Sequence, residues 1–266
     1  MPAPRHSLAA LALSAAAVPG LLLCLPHIAA ARELAADRPD ATESPITVEP
    51  GRIQIESSLW SYTQDRAEGI RFESWTFGET NLKFGVTSRS DLQLVLTPYV
   101  YEREKQAGRV HEAEGFGDLE LRFKWNLWGN DAGETAAALF PYVKIPSGTA
   151  VSNGEWEGGL ILPFSWDLSE RCALGLQIQI DRAFDEDEGH YWSFGHSAVL
   201  GFALTGRLGC FVEYAGSASD LPYQAFASGG FTFRIGENMQ WDIGTLAGLN
   251  RHSEDLTLFQ GLTLRF

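Results

Sequence analysis

The amino-acid sequence predicts an all-β protein: a single antiparallel transmembrane β-barrel of about twelve strands. Three observations predict it. The chain opens on a secretory leader, period-2 alternation runs through most of the remaining residues, and the connections alternate between short and long. The 266 residues suit one barrel domain. A mean hydropathy of −0.10 is too polar for a helical membrane protein. It fits a barrel, in which only alternate residues meet lipid. With 20 Lys and Arg against 34 Asp and Glu, the net charge is −14, which argues against a nucleic-acid partner.

Arg5 and His6 give the leader a short positive start, and an apolar stretch runs from Leu8 to Leu25. Ile28, Ala29 and Ala31 close it, so cleavage is expected after Ala31. An uncleaved membrane anchor is the alternative. Pro19 and Gly20 interrupt its apolar run and no charged stop-transfer segment comes after it. The domain organisation is then a secretory signal peptide over 1–31, an extended polar periplasmic lead-in over 32–50 and a barrel over 51–266. Pro39, Pro45 and Pro50 mark the lead-in as irregular.

The clearest strand lies over 118–127. Leu119, Leu121, Phe123, Trp125 and Leu127 occupy one face, and Asp118, Glu120, Arg122, Lys124 and Asn126 the other. Leu92, Leu94 and Leu96, then Leu174, Leu176, Ile178 and Ile180, repeat the pattern. Strands are predicted over 52–62, 70–87, 91–101, 117–127, 135–145, 156–167, 172–181, 191–204, 208–215, 225–235, 239–249 and 255–266. Connections at 88–90, 169–171, 205–207 and 236–238 are short, with 128–134 a little longer. Those at 102–116, 147–155, 182–190 and 217–224 are long and more charged. Short periplasmic turns opposite long external loops mark an outer-membrane barrel with its termini in the periplasm. In the last strand Leu256, Leu258, Gln260, Leu262, Leu264 and Phe266 share a face. Leu262, Leu264 and Phe266 read as the signal recognised by the barrel-insertion machinery; an ordinary edge strand that ends in Phe is the plainer reading.

Cys24 lies in the leader, behind a Leu23 too large for lipoprotein processing. Cys172 and Cys210 fall on the lipid face of strands that are one strand apart. Twice the strand spacing of about 4.8 Å exceeds the reach of a disulfide, so both are expected as free, buried thiols.

Several segments resemble one family. Asp37-Arg38-Pro39-Asp40-Ala41-Thr42-Glu43-Ser44-Pro45, followed by Val48-Glu49-Pro50-Gly51-Arg52-Ile53-Gln54-Ile55-Glu56, resembles the opening of the outer-membrane transporter family named for the MetA pathway of phenol degradation. Leu82 to Leu94 is similar to its hairpin, and Gly115-Phe116-Gly117-Asp118-Leu119 and Pro141 to Gly148 to its middle strands. The resemblance covers most of the mature chain. It implies a barrel and solute passage, with no catalytic residues to carry over.

Inward parity falls on Glu56, Arg71, Glu73, Lys83, Asp118, Glu120, Arg122, Lys124, Lys144, Arg234, Asp242 and Arg265. Charges of both signs on one interior predict a paired polar network, which either fills the barrel or lines a selective pore. Trp60, Tyr62, Trp75, Phe77, Tyr99, Tyr101, Phe140 and Tyr142 have the same parity towards the external half. They are expected to form a lumen entrance for aromatic or apolar solutes. An outward interfacial girdle is the alternative, reached if one bulge per strand flips the faces; Pro98, Pro141 and Pro163 favour bulges. Trp125, Trp166 and Trp241 read as girdle.

The run Asp185-Glu186-Asp187-Glu188 is read as a solvated loop in preference to a Ca²⁺ site. No metal or cofactor is expected. A hydrolase needs a histidine beside a serine or carboxylate, and the spacing of His111, His190, His196 and His252 singles out none of them. The expected protein is a monomeric channel or transporter for small, aromatic or apolar solutes, surrounded by outer-membrane lipid. A structural or adhesive barrel is the alternative, and a hydrolase a more distant one.

Overall fold

The computed structural model describes residues 32–67, 69–185 and 188–266; the leader expected over 1–31 lies outside them. Period-2 segments rich in Val, Ile, Leu and aromatic residues form fourteen strands. They are β1 (Ile53–Ala67), β2 (Ile70–Thr87), β3 (Ser90–Leu96), β4 (Tyr99–Gln106), β5 (Arg109–Gly115), β6 (Leu119–Trp128) and β7 (Thr135–Ile145). Then come β8 (Glu157–Ser169), β9 (Cys172–Asp185), β10 (Gly189–Ala203), β11 (Leu208–Ala218), β12 (Gln224–Arg234), β13 (Met239–Gly248) and β14 (Leu256–Arg265).

Every pairing is antiparallel, and β1 pairs with both β2 and β14, so the sheet closes on itself. The ring has twelve positions because β3 and β4 share one and β5 and β6 share the next. Strand β2 pairs with β3 through residues 80–87 and with β4 through residues 70–77. Pro98 lacks the N–H a continuous strand would donate there. The segment 102–116, expected as a long loop, is instead mostly the β4–β5 hairpin. It continues the wall beyond β3 and β6 at the long-loop end. The start of β1 and the end of β14 meet at the other end, where Phe266 N donates to Ile53 O at 2.8 Å.

Burial is inverted relative to a soluble protein. Lys124, Asp91 and Asp242 are 0% exposed, whereas Leu92 is 52% and Val212 56% exposed. Apolar side chains outside and charged ones inside require lipid around the wall. Among the described residues no helix is long and apolar enough to cross a membrane. The strands make the crossing.

The register also places the cysteines. Cys172 and Cys210 both pair with Phe202, so they share the outer face on either side of β10. Both are free and only half-buried, in place of the full burial expected. Protein lacking residues 1–31, unfolded in SDS without reductant, should therefore titrate two thiols per chain, with unchanged gel mobility on adding reductant. Fewer than two would contradict the register.

Candidate functional site

The interior is occupied by residues 32–50. They adopt no helix or strand, as the prolines predict, but they lie inside the barrel rather than leading up to it: Leu34, Asp37, Thr42, Thr47 and Val48 are all buried. A segment without secondary structure must find partners for its backbone N–H groups elsewhere. The wall supplies them. Asp37 N donates to Glu56 at 3.1 Å, Ala41 N and Thr42 N to Glu213 at 3.0 and 2.8 Å, and Glu43 N to Gln177 at 2.7 Å. Thr47 N donates to Asn130 at 2.9 Å and Val48 N to Asp91 at 3.0 Å.

At the centre, the Asp37 carboxylate accepts from Lys124 Nζ at 2.6 Å and pairs with Lys83, which also pairs with Glu56. Gln54 Nε2 donates to Glu56 at 2.7 Å. Lys124 in addition stands 4.6 Å from the centre of the Phe140 ring. Further ion pairs pin the segment along its length: Arg38 to Asp242 at 2.8 Å, Glu43 to Arg122 at 2.9 Å, Glu49 to Arg265 at 3.2 Å and Arg32 to Asp131 at 2.6 Å. Glu33 pairs with Arg234. Lys144 lies between Asp118 and Glu157, each at 2.9 Å, and Arg122 also holds Glu120 at 2.7 Å.

Ten of the twelve charged residues expected in the lumen thus face it, but many of their partners come from the plug (Asp37, Arg38, Glu43, Glu49). Sequence parity pairs wall with wall and misses this. The expected set also leaves out Gln54, Asp91, Asn130, Gln177 and Glu213, although the parity of all but Asn130 was readable. Arg71 and Glu73 are the two exceptions. They pair with each other at 2.6 Å on the outer face.

The same correction applies to six of the eight aromatics expected at the lumen entrance. Residues paired directly across a ladder share a face. Ser61 pairs with Phe259, whereas Trp60 pairs with Gln260 and Tyr62 with Leu258, on the lipid-facing side of β14. The cross-strand pairs Trp60–Phe77, Tyr62–Trp75, Phe77–Tyr99 and Trp75–Tyr101 carry that face across β2 and β4. The cause is a shared irregularity. Register with β14 slips at Leu59, opposite Gly78, whose φ is +70° and whose absent Cβ would lie 3.7 Å from Pro98. Below this level Glu56, Lys83 and Gln93 face in; above it Ser61, Thr76 and Val100 do. The displaced rings form an outer cluster, with Tyr62 and Trp75 centroids 4.5 Å apart. Phe140 and Tyr142 do face the interior, and Tyr142 donates to Asp181 at 2.7 Å.

A sequence profile for the family described as MetA-pathway of phenol degradation matches residues 36–266. The chain belongs to this family. The match takes in most of the plug as well as the whole barrel. No curated protein matches the sequence. Among solved structures, the NanC porin superposes with a TM-score of 0.51 at 6% identity, covering 80% of this chain and 98% of that one. The translocator domain of autotransporter NalP from Neisseria meningitidis gives 0.51 at 10% identity, with 81% and 88% coverage. The transport unit of AIDA-I from Escherichia coli gives 0.50 at 9% identity, with 81% and 89% coverage. At such identities they establish the fold of this member of the MetA-pathway family, an outer-membrane barrel.

Among the described residues no histidine ring forms a hydrogen bond or ion pair with a serine or carboxylate. His190 Nε2 meets Trp156 O at 3.0 Å, and His252 Nε2 accepts from Arg251 at 3.1 Å. His196 is on the outer face, 3.1 Å from the Tyr223 hydroxyl.

Two outcomes are expected for this family member. Lys124→Met leaves Asp37 with half of its buried partners, and should destabilise the protein by about 3–5 kcal/mol in urea unfolding. Adding Asp37→Asn should recover a large part of that loss, and a purely additive cycle would contradict the pairing. Secondly, lipids with brominated chains should quench Trp60 and Trp75 emission, read as the quenched fraction lost in Trp60→Phe and Trp75→Phe. Unaltered quenching in both variants would return these rings to the lumen.

Proposed function

We propose that this barrel passes small solutes, aromatic or apolar ones among them, between the exterior and the periplasm, and that residues 32–50 gate the passage. The observation that carries this reading is a pair of lumen cavities lying on the two sides of the plug. One, of about 540 Å³, reaches the short turn at Thr205–Leu208; the other, of about 310 Å³, opens towards the long-loop half. Arg38, Pro39, Asp40 and Glu43 line both. Each cavity combines an apolar wall with polar groups, as small-molecule sites do. Leu34, Val199 and Phe211 supply that wall in the larger one, and Val95, Leu246 and Phe259 in the smaller. Membership of a family described by phenol degradation supports small aromatic compounds as the solute class. In this reading the chain ends and short turns face the periplasm, and the outer aromatic cluster sits at the external membrane interface. The barrel acts as a monomer, inserted by the cell's barrel-insertion machinery and surrounded by outer-membrane lipid.

A closed structural barrel is the competing reading, favoured by the anchoring of the plug along its length. The two differ in whether the plug must move. Thr42 Oγ1 and Ser197 Oγ are 2.6 Å apart, so Thr42→Cys with Ser197→Cys is placed to lock plug to wall. Phenol flux into liposomes should fall to background in the oxidised double variant and return on reduction. Flux that persists through the locked protein would overturn gating, and background flux through the wild type would favour the closed barrel.

A further inference from the structure

The irregularity at Leu59, Gly78 and Pro98 changes which residues face the lumen, and it sorts charge by height. Below it cations and acids alternate around the plug. Glu79 on β2 faces in immediately below it, and above it the inward face carries Glu102 and Glu104 on β4, Glu157 on β8, Asp181 on β9 and Glu213 on β11. Their ladder partners establish the face: Glu79 pairs with Ser58, Ser74 with Glu102, Phe72 with Glu104 and Gly159 with Asp181. These six acids lie on five strands spread around much of the circumference, so the charge belongs to the whole passage rather than to one cluster.

Three cations face the same space, and each is already paired: Lys144 and Arg122 are each held between two carboxylates, and the plug's Arg38 pairs with Asp242. Arg109 stands at the hairpin tip, beyond the ring. Among the described residues no Lys or Arg forms an ion pair with Glu79, Glu102, Glu104, Asp181 or Glu213. Where their oxygens are engaged, the donors are neutral. Asp181 accepts from Tyr142 at 2.7 Å and Gln179 at 2.9 Å; Glu213 accepts from Thr42 Oγ1 at 2.6 Å and Ser228 at 2.8 Å. Such bonds hold the carboxylates in place and leave their charge uncompensated. At the floor, the 310 Å³ cavity is lined by Glu43 and Asn81, whose Oε2 and Oδ1 are buried acceptors without donors. The Phe259 ring lines its wall.

We propose that the long-loop half of the lumen is an electronegative vestibule that admits small cations, protonated amines among them, and rejects anions. Rings of carboxylates in a narrow, low-dielectric passage concentrate counter-ions. The vacant acceptors and the ring wall at the floor suit an ammonium group with an apolar substituent. The inference deepens the proposed passage but rests on it only for permeation, because the charge of the vestibule exists whether or not the plug moves.

The test therefore has two arms. Ser61 lines the vestibule, and Ser61→Cys is made in full-length mature protein with Cys172→Ser and Cys210→Ser. A trimethylammonium methanethiosulfonate should modify it about tenfold or more faster than the sulfonate reagent, after division by the same ratio for a free thiol. The preference should shrink several-fold in Glu79→Gln/Glu102→Gln and with rising salt. A corrected ratio near or below one, or one that these variants leave unchanged, would overturn the proposal. In planar bilayers under a KCl gradient, the reversal potential of the same chain without substitutions should report preference for K⁺, and a chloride preference would also overturn it. A silent bilayer together with a large reagent ratio would leave the vestibule standing and sink the passage itself.

Discussion

Two lysines inside a barrel, Lys83 and Lys124, make the structure depend on one carboxylate from outside the barrel wall. Neither reaches solvent, and a buried ammonium is tolerated only with anionic and hydrogen-bonding partners. The strands place Glu56 against Lys83, but Lys124 finds its ion-pair partner in Asp37 of the plug. The plug is therefore part of the folded interior and not an appendage. Its irregular backbone is tolerable for the complementary reason: inward acids and amides of the wall accept its N–H groups. Removing either side leaves the other with unpaired polar groups. That mutual need explains why residues with no secondary structure of their own lie buried inside the barrel.

The second constraint is the line of irregularities across β1, β2 and the β3–β4 junction. A strand has two faces, and a one-residue slip exchanges them. In this barrel the exchange occurs at one height on neighbouring strands, so pairing survives while the faces swap. The polar residues Ser61, Thr63 and Thr76 turn inward, and Trp60, Trp75 and Phe77 turn outward to the position of an interfacial girdle. The same exchange brings Glu102 and Glu104 to the inner face. One local device thus sets both the lipid contact and the charge of the mouth.

Much of the fold was legible in the sequence. Alternation such as Leu119 to Leu127, with turns at 88–90 and 236–238, is enough to give strands, their order and antiparallel closure, because each depends only on local pattern and hairpin connectivity. The cysteine geometry came from the same parity. The site was less legible. Glu56, Lys83, Lys124 and Asp242 were readable as inward charges, but the counter-charges of Lys124 and Asp242, and one of the two of Lys83, lie in 32–50, a stretch whose prolines reveal irregularity and not location. Pro98 was visible as a possible break, whereas Gly78 lay unmarked inside the strand expected over 70–87. That they align with Leu59 is a property of register, which no single strand carries, and it reversed Trp60, Tyr62, Trp75, Phe77, Tyr99 and Tyr101 together with Arg71 and Glu73.

The central claim is that residues 32–50 are held inside the barrel by the Asp37 ion pairs. Hydrogen–deuterium exchange of the mature protein in lipid nanodiscs tests it most directly. Amides of the peptide spanning Asp37 to Val48 should be protected to the same order as the strands, and Asp37→Asn should release that peptide while the strands stay protected. Exchange of this peptide at the rate of an unfolded chain in the unmodified protein, beside protected strands, would contradict the account.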